Sequence, residues 1–138
     1  MARWLLDTCV LSELVKPKPE PAVLKWLRSN SSNCVICVVS VGEIQYGIER
    51  LAIGRNRNRL QTWLDELKVS YKSKTLATNE LVWSTWGRLK FEAEHLGKPQ
   101  EDLDLLIASV AKVNQLTLVT RNTRHFLDTG IELLNPWD

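Results

Sequence analysis

Cysteine and histidine are scarce in this chain, three and two among 138 residues, and each scarcity closes off a class of chemistry. Three thiols, odd in number, cannot build a disulfide framework, so a reducing compartment is the simplest setting. Cys34-Val35-Ile36-Cys37 lies in a β-branched run, where alternation along a strand sends the two sulfurs to opposite faces. No second cysteine pair or neighbouring histidine completes a zinc set, and a redox pair would open a helix instead. The chain also has no apolar run of the roughly 18 residues that a membrane span requires. Its start, Met1-Ala2-Arg3-Trp4-Leu5-Leu6-Asp7, meets an acid before a signal sequence could form. The expected location is the cytoplasm, with no membrane partner.

A large charge of one sign is missing too, since the formal net charge is +2. The charges are nonetheless unevenly spread. Arg50, Arg55, Arg57 and Arg59 fall close together, whereas Glu92, Glu94, Glu101, Asp102 and Asp104 crowd a later stretch. A phosphate-contacting face beside an acidic site would have this layout. Each arginine taken singly also reads as solvated helix surface. With 44% hydrophobic and 25% charged residues, the composition is that of a single globular domain spanning residues 1–138.

Hydrophobic periodicity predicts alternating strands and helices. Arg3 to Asp7 reads as a buried strand and Thr8 to Val15 as a helix stopped by the prolines at 17, 19 and 21. Ala22 to Ser29 has helical spacing, and Cys34 to Val39 is apolar throughout, as a strand covered on both faces should be. Helices are then predicted from Ser40 to Gly54, Arg55 to Leu67, Asn79 to Leu96 and Gln100 to Val113, with strands over Leu116 to Val119 and Ile131 to Leu134. The alternation implies an α/β fold with a central, mainly parallel sheet flanked by helices. In such sheets the active crevice lies beyond the carboxyl ends of the strands.

Three acids stand where an apolar run meets a helix: Asp7, Glu43 and Asp104. Carboxylates are costly to bury alone, so three at element ends point to a shared cation, and an all-oxygen set suits Mg²⁺ or Mn²⁺. Each acid has a competing structural explanation. Asp7 could be a helix N-cap, although Thr8 could serve as the cap and free it. Ser40-Val41-Gly42-Glu43 is a capping-box pattern. Asp104 sits in a first helical turn, where acids are favoured by the helix dipole. At about 100° per residue, however, Asp104 aligns with Ile107, Ala108 and Ala111, while Asp102 points about 160° away from that stripe. Asp104 is thus the preferred third carboxylate and Asp102 its lesser neighbour. Asn122 would be a neutral oxygen ligand, with Thr8, Ser40 and Thr120 as supporting hydroxyls. Candidate phosphate contacts are Arg55, Arg57, Arg59, Arg121, Arg124 and His125. Trp83 and Trp86 fit a core or subunit interface better than base stacking.

The sequence resembles the PIN-domain ribonucleases of the VapC/FitB toxin type. Four blocks in order carry the likeness: Leu5-Leu6-Asp7-Thr8-Cys9-Val10-Leu11-Ser12-Glu13-Leu14, Ser40-Val41-Gly42-Glu43-Ile44-Gln45-Tyr46-Gly47-Ile48, Asp104-Leu105-Leu106-Ile107-Ala108-Ser109, and Leu118-Val119-Thr120-Arg121-Asn122-Thr123-Arg124-His125-Phe126. The resemblance implies a PIN-like three-layer fold and a Mg²⁺- or Mn²⁺-dependent endoribonuclease with Asp7, Glu43 and Asp104 as acidic ligands. It further implies that water rather than the ribose 2′-OH attacks, leaving a 5′-phosphate and a 3′-OH. As partners it implies RNA as substrate, a second copy in a homodimer, a small antitoxin, and operator DNA reached only through that antitoxin. This chain lacks the fourth acid often found near the position of Asn122, which keeps open a PIN-like module that binds RNA or a protein without cleaving. The opening block also resembles that of aspartate-nucleophile phosphatases, but those need a second acid where Cys9 stands.

Overall fold

The computed structural model describes all 138 residues. Five short strands form one wholly parallel sheet: β1 (Trp4–Leu6), β2 (Cys34–Cys37), β3 (Thr75–Leu76), β4 (Thr117–Val119) and β5 (Leu133–Leu134), in the order β3-β2-β1-β4-β5. Six helices connect and cover them: α1 (Thr8–Glu13), α2 (Pro21–Asn30), α3 (Val38–Glu49), α4 (Arg55–Ser70), α5 (Glu80–His95) and α6 (Asp102–Val113). A 3₁₀ turn spans Thr123–Thr129. This is the expected three-layer α/β architecture. No helix is long and apolar enough to cross a membrane.

Alternation along the central strands builds a core on each side of the sheet. Leu5, Val35, Cys37 and Leu118 pack with Val82 and Leu89 of α5 and with the apolar run Leu105–Ala111 of α6. Trp4, Leu6, Cys34, Ile36 and Val119 pack with residues of α1 to α4, among them Leu11, Val23, Ile48 and Leu64. The three thiols are free, and Cys34 and Cys37 lie in opposite layers, as the spacing predicts.

Two expectations about local structure change. The second strand ends at Cys37, and Val38 and Val39 already belong to α3. Ladder partners run out there, since Cys37 is the last residue of β2 to pair, with Leu76; tertiary context overrides the β preference of the two valines. Strand β3, read from sequence as part of a polar loop, is only two half-buried residues long and too short to leave a periodic signal.

Register brings the working ends of the strands together. Trp4 pairs with both Cys34 and Thr117, and Leu6 with Val119. Asp7 donates its N–H to the Val119 carbonyl and Thr120 donates its N–H to that of Leu134, each at 2.9 Å. Asp7 and Thr120 therefore emerge side by side. Elsewhere the buried Glu13 accepts from Lys16 Nζ and from the Glu20 N–H, tying the end of α1 to the proline turn.

Leu118 is fully buried in this sheet. Truncation in Leu118→Ala is expected to cost about 2–5 kcal/mol through lost transfer energy and the cavity left behind, read as a lower urea midpoint with unchanged slope.

Candidate active site

Asp7 is the N-cap of α1 after all, and Thr8 is the first helical residue. One carboxylate oxygen, Oδ1, accepts the Thr8 N–H at 2.8 Å. That leaves Oδ2, which accepts the Thr120 hydroxyl at 2.8 Å. The residue is 4% exposed, so capping and site placement are two uses of one group. Thr120 Oγ1 accepts in turn from the Asn122 N–H at 3.1 Å.

Glu43 does not close a capping box. The N-cap of α3 is Cys37, which makes no side-chain cap bond, and Ser40 lies buried within the first turn. Freed from that role, Glu43 Oε1 accepts the Thr8 hydroxyl at 2.7 Å. The same hydroxyl lies 2.9 Å from Ser40 Oγ. A polar chain thus crosses the strand ends: Thr120 to Asp7, then through the Asp7–Thr8 linkage to Glu43 and Ser40. It joins three of the four sequence blocks.

Asp104 enters from α6, partly buried, with its Oδ2 3.5 Å from His125 Nδ1. Its carboxyl pKa is raised above the ordinary value, first by burial and next by the charge of Asp7, against the opposing pull of His125. Glu43 is raised too, by burial above all, with Asp7, Asp104 and Glu101 adding to the shift and the Thr8 hydrogen bond opposing it. The three predicted acids therefore share one electrostatic neighbourhood.

Asp102 does not join them. Its carboxylate is taken by Lys90 and its carbonyl by Trp86 Nε1, both on α5. The Asn122 side chain is exposed and makes no hydrogen bond, so only its backbone reaches the site. Among the arginines, Arg57 pairs with Glu49, and Arg59 bonds the Val15 carbonyl and Asn56. The Arg121 guanidinium lies over the Trp137 ring, while Arg55 and Arg124 are exposed without a side-chain partner. Trp83 and Trp86 meet edge to face at 5.5 Å, with Trp83 half exposed.

Three neighbours of the acids were not counted among the metal-site residues from sequence. Cys9 Sγ lies 3.6 Å from both Asp7 Oδ2 and Thr120 Oγ1 and accepts the Arg121 N–H at 3.5 Å. Burial first, then the Asp7 charge, pushes its thiol pKa up to about 11. Glu101 caps α6 by position but makes no capping bond, and it lines an open cleft of about 570 Å³ together with Glu43, Tyr46, Trp83 and Leu103. Helical geometry held a signal for it, because a residue three before Asp104 lies within about 60° of the same face. His125, read as a phosphate contact, sits in a turn with no period from which its direction could be read.

The donor set fits a hard divalent cation. Carboxylate and hydroxyl oxygens line the strand ends, and Glu43 and Asp104 carry charges that burial and mutual repulsion make costly, which a cation would relieve. No three acid, thiol or imidazole side chains close into a ready cage. An ion that keeps several of its waters does not need one.

A family model described as the PIN domain matches residues 4–131. The chain is 31% identical to Toxin FitB of Neisseria gonorrhoeae, over 96% of this chain and 97% of that protein. It is 28% identical to VapC ribonuclease Y4jK of Sinorhizobium fredii, over 97% of each. A solved structure of FitAB bound to a DNA fragment, IR36, superposes with a TM-score of 0.89 at 28% identity, covering 98% of this chain and 96% of that one.

The raised pKa of Glu43 fixes a sign. A carboxyl group whose folded value exceeds its unfolded value favours folding while protonated and loses that contribution as pH rises through the folded value. Glu43→Gln is therefore expected to raise the Tm of the metal-free protein at pH 7. The gap should close in acid below the ordinary glutamate range, where Glu43 is protonated in both states; paired calorimetric melts at the two pH values check this.

Proposed function

The chain belongs to the PIN-domain family, and from that premise we propose that it is the RNA-cleaving toxin of a toxin–antitoxin pair, a metal-dependent endoribonuclease whose centre is Asp7, Glu43 and Asp104. The observation that carries this assignment is the hydroxyl-linked chain from Thr120 through Asp7 and Thr8 to Glu43, which sets two carboxylates at the carboxyl ends of the strands beside Asp104. Capping accounts for Asp7 alone; it does not account for Glu43, which caps no helix yet is held at the same strand ends.

A Mg²⁺ or Mn²⁺ ion held by the three carboxylates would polarise the phosphodiester and lower the pKa of the attacking water. The chain's own residues supply preorganisation. Thr120 and the α1 N-terminus hold both Asp7 oxygens, and Thr8 holds one oxygen of Glu43, so the ligands do not have to be gathered when substrate arrives. Arg124, exposed and uncommitted on the turn after β4, is the candidate contact for a flanking phosphate. Arg55 at the start of α4 is the freest of the other basic candidates, since Arg57 and Arg59 have partners within the chain. Attack by water in place of the ribose 2′-OH leaves a 5′-phosphate and a 3′-OH.

The family supports the remaining features of this reading. The protein is one PIN domain over residues 1–138, works in the cytoplasm where its RNA substrates are, pairs with a second copy and is held by a small antitoxin. Operator DNA is reached through that antitoxin, a view supported by the FitAB complex, which is bound to DNA.

Antitoxin-free protein is expected to cleave a mixed RNA pool in Mg²⁺ or Mn²⁺, leaving 5′-phosphate ends, and to stop in chelator. Asp7→Asn should slow cleavage by about 100-fold or more, equivalent to about 2.7 kcal/mol of transition-state stabilisation. A folded wild type that binds RNA but never cuts it would replace the nuclease with a binding module.

A further inference from the structure

We infer that His125 is a nitrogen ligand of the metal ion, paired with Asp104, so that the centre of this chain is a mixed nitrogen and oxygen site. This rests on the metal-dependent reading of Asp104 and goes beyond it. His125 Nδ1 stands 3.5 Å from Asp104 Oδ2, a spacing slightly longer than the edge of about 3 Å that neighbouring ligands of one octahedral ion share when each lies about 2.1 Å from it. A small closing movement would let one cation take both atoms.

The surroundings fix the imidazole where this is useful. The His125 N–H donates to the Asn122 carbonyl at 3.0 Å, and the next residue, Phe126, is 1% exposed in the α6 side of the core. The turn is thus pinned on both sides of His125. The nearby acid Asp128 is engaged by Lys98 at 3.6 Å, leaving Asp104 as the carboxylate that His125 meets. The imidazole itself is half exposed and makes no hydrogen bond through Nε2. Nδ1 is the imidazole atom turned toward Asp104, and a cation bound between the two would take its lone pair in place of the ion-pair contact that they make without metal. Asn122, a few residues earlier, directs no side-chain hydrogen bond into the site. On this face the donors are therefore Asp104 and His125.

A nitrogen ligand leaves a spectroscopic mark. Mn²⁺-loaded protein should show ¹⁴N modulation in pulsed electron paramagnetic resonance, moved to ¹⁵N frequencies by labelling histidine. The chain has only two histidines, and the other, His95, stacks on Phe91 at the end of α5, so assignment is direct. The modulation should persist in His95→Ala and disappear in both His125→Ala and His125→Asn, with Mn²⁺ affinity falling about tenfold, as loss of a supporting ligand interaction costs. Thermal melts of both variants establish that they are folded.

If Mn²⁺ binds the wild type and is lost in Asp104→Asn, but no histidine nitrogen is seen, His125 is not a ligand and the carboxylate centre stands. If Mn²⁺ fails to bind the wild type, or binds equally well to Asp104→Asn, both the inference and the placement of the metal at Asp104 fall.

Discussion

A carboxyl group at the end of a fully buried strand must have both oxygens answered, and the arrangement of three elements follows from how Asp7 meets that condition. Its Oδ1 takes the first free N–H of α1, which sets where that helix starts. Its Oδ2 takes the Thr120 hydroxyl, which ties the loop after β4 to the end of β1. Because Thr8 follows directly, its hydroxyl faces α3 and meets Glu43 and Ser40. Satisfying one buried acid thereby positions a second, and no buried side-chain nitrogen or oxygen is left without a partner. The short strands are sufficient for this because parallel register brings their ends level.

The resulting field is lopsided. Asp7, Glu43, Asp104 and Glu101 add negative charge to one region, and His125 is the opposing group beside Asp104. The arginines that could attract RNA lie on α4 and on the turn after β4. On the proposed reading, phosphate and acids repel each other until a cation stands between them, so metal occupancy would govern productive approach as well as chemistry. Beside the acids, the cleft under Tyr46, Trp83 and Leu103 carries two glutamates and mostly apolar walls, a surface better suited to an apolar partner than to a phosphate backbone.

Much of this was legible in the sequence because burial and period coincide. The run Leu105–Ala111 is apolar on the face that Asp104 shares, so the direction of that carboxylate could be calculated, as could the lesser standing of Asp102, whose carboxylate Lys90 engages. Three features resisted for physical reasons. Capping at Asp7 and Thr8 depends on which residue first adopts helical dihedrals, and neighbouring cap formers look alike in one dimension. The start of α3 was hidden because Val38 and Val39 prefer strands, while ladder pairing ends at Cys37. The contact between His125 and Asp104 joins an irregular turn to a helix, and neither hydrophobic period nor motif spacing encodes the direction of a turn side chain.

Cys9 shows what the same acidic environment does to an unintended guest. A thiol in an open polar site would ordinarily be a point of chemical attack, since oxidants and electrophiles react with the thiolate. Burial first, and then the adjacent Asp7, push this thiol pKa up to about 11, which disfavours the reactive anion at neutral pH. Burial, reinforced by the negative potential of Asp7, thus disfavours the thiolate of a cysteine that lies against a buried acid.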